Sequence, residues 1–557
     1  MRFARIKAIV KSIRVTEFVS TVEMESPIIQ VTINDGIIQG NQRTNIDGEK
    51  FCSFLGIPYA KPAVGDLRFK APEPVEPWTG IKDATKAGDP CYQRNEFSFA
   101  IVGSEDNCMH LNVYTRTCTP EKQILKPVMV FIHGGAFLHG SNDPNLYGPE
   151  HLLLEDIVLV VINYRVGFLG FLHLNDTTLD VPGNAGLKDQ RLALQWVQKN
   201  IQYFNGDPNN VTIFGESAGS ASVHYHVVSP SSKGLFHKAI MQSGTLHNPW
   251  PYSNDVALEF AQSIKEDVKT EKEALQLLRS LPINELYTFQ EKYIKVKGVW
   301  GVAAPNIEYL NKTAIITAPA TQLISSGQYN KVPIMLGFTQ REGLLFEAHK
   351  NLQKAAGIEP EKDIDLESLV HPHLNLEKDD AKRQLIAKKY ADFYFQGENA
   401  KDKVMLLTDF FLIAGIVGSA IKHTKTSTNP VYLYRMTIDA GLNVFKKITN
   451  INEPGVCHAD DLGYLFHMPL AAKVLHKGPL EDKVLRRFVK LWTNFAKTGN
   501  PTPQESDLNI TWKPVTENDV YYLDIGEELS LQTNPEPERI KFWRDIFQLS
   551  PFTIDHL

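Results

Sequence analysis

Val211-Thr212-Ile213-Phe214-Gly215-Glu216-Ser217-Ala218-Gly219 decides the fold of this chain. The first four residues are β-branched or apolar, the pattern of a short buried strand. Gly215 to Gly219 then fits Gly-x-Ser-x-Gly, in which a serine sits on a sharp turn between a strand and a helix. Ser220 to Val228 can continue as that helix. Small residues on both sides of Ser217 let the two backbones approach without a clash. So short a pattern recurs by chance, and the flanking strand and helix give this one its weight.

Working outward, strand-like runs alternate with helical patterns. Pro127 to Ile132 reads as a buried strand, followed by the glycine turn His133-Gly134-Gly135-Ala136-Phe137. Ile157 to Ile162 reads as another, ending at Asn163. Gly186 to Phe204 carries Leu187, Leu194, Val197 and Ile201 at helical spacing, with Asn205-Gly206-Asp207-Pro208 as a stop. Further strands are expected at Lys238 to Ser243, Val332 to Gly337 and Val431 to Arg435. The alternation predicts a mainly parallel sheet with helices on both faces. Charged helical patterns, about Asp255 to Glu291 and Leu352 to Thr424, read as insertions. They are expected to wall the carboxyl edge of the sheet, where open α/β sheets bind ligands.

The chain has 557 residues, 43% of them hydrophobic and 22% charged, enough to bury a large core. No linker, low-complexity tract or repeat divides it, so one domain over 26–557 is expected after a basic extension at 1–25. The net charge of −6 gives no basic footprint for nucleic acid. No apolar run approaches the roughly 18 residues of a membrane span. In the first 25 residues, basic side chains break every apolar run, unlike a secretory signal. A cytoplasmic location is expected, with an organelle presequence as the alternative and Met24 as a possible start. Five cysteines are too scattered for a disulfide scaffold. Cys91 and Cys108 could close a loop, but in the cytosol they would stay reduced.

A serine hydroxyl needs a base within reach, and the base needs a carboxylate to orient and stabilise it. On folds carrying this elbow the chain order is serine, acid, histidine. That order excludes His133, His139, His224, His226, His237 and His247 as the base. The acid belongs in a loop just after a strand, which favours Glu342, with Glu347 and Asp409 as fallbacks. For the base, His458 stands in the small-residue loop Gly455-Val456-Cys457-His458-Ala459-Asp460-Asp461. His371, His373, His423, His467 and His476 lie in segments that read as helix or helix edge. His371 and His373 resemble a metal pair but read better as surface residues. Donors for an oxyanion are expected from Ala218 and from the glycine turn.

These residues resemble the type-B carboxylesterase and cholinesterase family, most closely the insect detoxification type. The resemblance runs from about residue 26 to 547. It rests on Phe54-Leu55-Gly56-Ile57-Pro58-Tyr59-Ala60, Gly65-Asp66-Leu67-Arg68-Phe69, Asn163-Tyr164-Arg165, Pro182 to Gln190, the elbow, and Phe495-Ala496-Lys497-Thr498-Gly499-Asn500-Pro501. It implies an α/β-hydrolase fold with a large mixed, mostly parallel sheet and helical insertions over the site. Ser217 would be the nucleophile, Glu342 the acid and His458 the base. Gly135, Ala136 and Ala218 match the oxyanion positions. Ser243 and Glu216 match the surroundings of the triad, and Trp250 the acyl pocket.

The resemblance implies no metal or cofactor, small ester substrates, and trapping by organophosphates or carbamates. Where a third glycine is common the chain has Ala136, whose methyl narrows the acyl side. Asn107 separates Asp106 from Cys108 where the family has Glu-Asp-Cys. The aromatic choline-binding segment is not recognisable between Cys91 and Cys108, which argues against quaternary-ammonium esters. A hormone- or lipid-ester hydrolase is the alternative, and a non-catalytic binding protein is a third. Asn175, Asn210, Asn311 and Asn509 begin glycosylation sequons, read here as coincidental.

Overall fold

A thirteen-stranded mixed sheet runs through the molecule. The computed structural model describes residues 27–118, 124–298, 301–360, 365–396 and 402–550. The whole N-terminal extension, with Met24, lies outside the described residues. The main path has twelve strands: β1 (Ile28–Ile33), β2 (Gly36–Thr44), β3 (Lys50–Pro58), β4 (His110–Thr115), β5 (Lys126–Ile132), β6 (Val158–Ile162), β7 (Gly206–Glu216), β8 (Lys238–Gln242), β9 (Ile334–Thr339), β10 (Val431–Met436), β11 (Tyr521–Ile525) and β12 (Leu529–Thr533). Their order is β1-β2-β3-β4-β6-β5-β7-β8-β9-β10-β11-β12, with the short strand Ile81–Asp83 beside β2.

From β6 to β11 every pairing is parallel. The flanks, β1 to β4 and β12, are antiparallel. The parallel centre matches the expected alternation. The antiparallel flank was not read as strands, because Gly, Asn and Gln leave its apolar alternation weak, as in β2.

Successive side chains of a strand point to opposite faces, and β5 shows how the two halves of the core divide. Val128, Val130 and Ile132 join Leu187, Leu194 and Val197 of α1 (Ala185–Asn200) and Ala221 of α2 (Ala218–Val228). Met129 and Phe131 join Phe488 and Trp492 of the helix Pro479–Thr498 on the other face. Each such fully buried side chain contributes about 1.5–3 kcal/mol. Coverage on both faces gives the central strands continuous apolar runs such as the wholly buried VLVVI of β6.

Three expectations need correction. Four of the five cysteines are bridged, Cys52–Cys118 with Cα atoms 5.4 Å apart and Cys91–Cys108 at 4.8 Å. Cys52 pairs across the β3–β4 ladder with Thr115, three residues before Cys118, a proximity the sequence spacing hides. His371 is not a surface residue but 2% exposed, packed edge-on to Phe547. The second insertion is also not uniformly charged. Residues Lys403–Thr426 form a helix long and apolar enough to cross a membrane by composition, with mean hydropathy 2.1. Of that apolar window, 83% is buried inside the protein, so here it is a core helix. Among the described residues it is the one such helix.

Candidate active site

The elbow lies where β7 meets α2. Ser217 takes φ 57° and ψ −121°, a sparsely populated conformation that costs about 1–3 kcal/mol. Its N–H donates to Gln242 O at 2.8 Å, and its carbonyl accepts the first helical bond from Ala221 at 3.0 Å. The glycines are required by space. A Cβ on Gly219 would sit 2.0 Å from Ile132 O, and one on Gly215 would sit 2.6 Å from the same atom.

The glycine turn after β5 packs directly on this elbow. A Cβ on Gly134 would sit 2.7 Å from Glu216 O and 3.1 Å from Ser217 Cβ. Gly135 has φ 107°, and its carbonyl accepts from Leu138 and His139. Ala136 follows at φ 53° and lines the cavity. The N–H groups of Gly135, Ala136 and Ala218 have no protein acceptor among the described residues.

Glu342 and His458 meet across 116 residues of sequence. Glu342 lies three residues beyond β9 and is fully buried. Its Oε1 accepts from Ser243 Oγ at 2.6 Å and from Thr339 N–H at 2.7 Å. Its Oε2 is 2.6 Å from His458 Nδ1. Two donors thus fix the carboxylate that orients the imidazole. Glu347 lies on the cavity wall, and Asp409 is tied to Arg539 at 2.8 Å and to Tyr394 at 2.6 Å. Neither fallback is the imidazole's partner.

The other imidazole nitrogen faces a second carboxyl. His458 Nε2 stands 3.0 Å from Glu216 Oε1. No hydrogen bond joins Ser217 to His458 among the described residues, although both line the same cavity. Burial lowers the imidazole pKa, but Glu216 and Glu342 outweigh it and hold it up at about 9. Burial also pushes Glu216 well above the carboxylate range. The two groups stand close enough for their titrations to be coupled.

Sequence reading missed four residues around the site. Asp460 accepts from the N–H groups of Cys457 at 2.7 Å and Lys446 at 3.1 Å, holding the histidine loop closed. Asp461 accepts from Gln242 at 2.7 Å and Tyr434 at 3.1 Å beneath it. Both acids stand in the quoted loop with His458, and that adjacency was the available clue. Tyr147 and Glu96 also line the cavity. Nothing local marks either one.

The cavity measures about 1190 Å³. Its far wall comes from Lys403–Thr426. Within this helix Asp409–Ile413 makes a π-turn, which widens the hydrogen-bond ladder. Phe411 O there accepts from Trp250 Nε1 at 2.9 Å, and Leu412 O from Asn248 Nδ2 at 2.8 Å. Trp250 is thereby fixed in the wall, 6% exposed and 6.4 Å from the Phe137 ring. Leu345 and Phe346, from the helix Leu344–Ala356, complete this side. The expected helical wall is thus built by the second insertion. The first packs mostly on Phe168 and Leu169, and among the described residues only Lys295 and Gly298, just beyond it, reach the cavity. His224 and His226 are fully buried in the core, as expected of non-catalytic residues. No group of three or more metal-ligating side chains occurs among the described residues.

The model of the carboxylesterase family matches residues 26–543. The chain belongs to the carboxylesterase family. This carboxylesterase is 34% identical over 534 residues to Esterase B1 of Culex pipiens, covering 91% of this chain and 96% of that esterase. It is 32% identical over 532 residues to a juvenile hormone esterase of Heliothis virescens, covering 90% and 91%. Among solved structures it resembles juvenile hormone esterase from Manduca sexta with OTFP covalently attached. That match has a TM-score of 0.82 and 30% identity, covering 94% of this chain and all of the other. The α/β-hydrolase fold and membership among serine ester hydrolases follow from these likenesses.

Proposed function

We propose that this carboxylesterase hydrolyses medium-sized hydrophobic esters through an acyl-enzyme on Ser217. The carrying observation is the 2.6 Å contact of Glu342 with His458, beside an elbow serine and three unpaired N–H groups. In its neutral form His458 takes the hydroxyl proton as Ser217 attacks the ester carbonyl. The N–H groups of Gly135, Ala136 and Ala218 receive the developing oxyanion, each worth roughly 10²–10³ in rate. His458 then protonates the leaving alcohol, and water repeats the sequence on the acyl-enzyme. Glu342 and Ser243 keep the ring oriented throughout.

Within that chemistry we favour xenobiotic esters as substrates, with organophosphates and carbamates turned over slowly or trapped. Supporting this are the likeness to Esterase B1 and a cavity of about 1190 Å³, roomy enough for esters of varied shape. A phosphorylated Ser217 places its oxygens where the acyl oxyanion stood, leaving His458 badly placed to drive water in line. A narrow hormone- or lipid-ester role is the second reading, favoured by the likeness to juvenile hormone esterases and by the apolar wall of Trp250, Leu345, Phe346 and Phe411. Fluorophosphonate labelling should map to Ser217, and labelling elsewhere would refute the mechanism. An organophosphate burst of one equivalent followed by a stall supports trapping, and sustained release defeats it. A panel of esters of graded size separates the two substrate readings, since a hormone esterase would turn over one member far faster than the rest.

A further inference from the structure

Glu96 is a carboxyl in the cavity for which ester hydrolysis as set out above has no task. It sits at the tip of a braced hairpin. The Cys91–Cys108 bridge closes the loop, and Gln93–Arg94 pairs with Ile101–Val102 inside it. Asn95 Oδ1 accepts from the N–H groups of Phe97 at 3.1 Å and Ser98 at 2.9 Å. Arg94 is held by Glu291 at 2.5 Å and donates to Phe99 O at 2.8 Å. Phe97 is buried against Phe445, with ring centroids 5.9 Å apart. These contacts on either side of Glu96 leave the backbone little freedom to carry it away.

Glu96 is half-buried, and it lines the cavity that Ser217 and His458 share. Its carboxyl makes no hydrogen bond or ion pair among the described residues. The charged and titratable groups that feel it are His458, Glu216 and Tyr147. Burial raises its pKa to about 7, against the opposing pull of His458. A carboxyl kept in a mostly apolar wall without a partner is costly to the fold. The cost is offset when a ligand brings the missing partner.

Its neighbours indicate which part of the ligand that is. His458 hands its proton to the departing alcohol, so the alcohol occupies the histidine side of the cavity. Trp250 and Phe411 form the other wall. We propose that Glu96 selects the alcohol portion of the ester, favouring alcohols that carry a protonated amine with an N–H to donate. A quaternary ammonium offers no N–H and gains only the coulombic share. A neutral branched alkyl group of the same shape gains neither. This rests on the reading of ester hydrolysis at Ser217.

The test compares three butanoate esters on the full chain at pH 7.5: 3-methylbutyl, 2-(dimethylamino)ethyl and choline. In the wild type kcat/KM for the amine ester should exceed that for the 3-methylbutyl ester about tenfold, the worth of one charge-assisted hydrogen bond. The choline ester should fall between them. Glu96→Gln should bring the amine-to-neutral ratio to within about twofold of one, whatever the absolute rates. A wild type without the preference, or a Glu96→Gln variant that keeps it, overturns the proposal. Should that variant fail to fold, inhibition of the wild type by the free alcohols decides. 2-(Dimethylamino)ethanol should bind about tenfold more tightly than 3-methylbutan-1-ol, and equal binding overturns the proposal. Turnover of the neutral ester reports the ester-hydrolase reading separately: its absence refutes that reading, whereas a flat ratio refutes only the role of Glu96.

Discussion

The two walls of the cavity are built by different means. The elbow, the glycine turn and the histidine loop form a polar wall. There, backbone in rare conformations is held by short hydrogen bonds, as in Ser217 at φ 57° and Glu342 with three partners. The opposite wall, from Trp250 to Phe411, is apolar and comes from an inserted helix with a single polar tether to Trp250. A hydrogen-bonded wall tolerates little change, because a buried donor or acceptor left alone costs about 1–3 kcal/mol. An apolar wall tolerates exchange of similar volumes for less than about 1.5 kcal/mol. Chemistry is therefore expected to be brittle on one side and specificity adjustable on the other.

That contrast can be broken by substitution. Ser217→Ala should lower kcat about 10⁶-fold with folding intact, and residual turnover above that level would move the nucleophile elsewhere. Glu342→Gln should cost about 10⁴-fold, because the amide leaves the imidazole without its oriented acceptor. On the apolar side, Trp250→Leu should spare acetyl esters and raise relative kcat/KM for bulky acyl groups roughly tenfold or more. If it instead abolished activity toward every ester, the two walls would not be separable.

The smallest effect is on pH. His458 must be neutral to act as base, and its raised pKa means activity is gained as pH rises and lost as it falls. Glu216→Gln removes the carboxyl that contributes most to that rise. The acid limb of the kcat/KM profile should move to lower pH, by about one unit or more. A limb that stays put, or moves upward, would show that Glu216 does not hold the imidazole pKa up.

Much of the polar wall was legible in the sequence, because its demands are local. Gly215 and Gly219 announce a turn that admits no Cβ, Glu342 follows a strand, and His458 stands in a loop of small residues. The approach of Glu216 to His458 Nε2 was not legible. It depends on how far the histidine loop, held by Asp460, reaches across the sheet edge. The π-turn that tethers Trp250 was hidden for a similar reason, since Asp409 to Ile413 reads as ordinary helix. The antiparallel flank of the sheet was missed because its alternation is weak, and the Cys52–Cys118 bridge was missed with it.

By itself the sequence determined the alternation of strands and helices, the strained serine, and the order of serine, acid and base along the chain. These follow from steric limits and hydrophobic periods that act over a few residues. The tertiary structure decided which groups of distant origin share one cavity: Glu96 from a disulfide-closed hairpin, Trp250 tethered to an inserted helix, and two carboxyls on one imidazole. Such meetings are set by packing across the sheet, and no short-range rule encodes them.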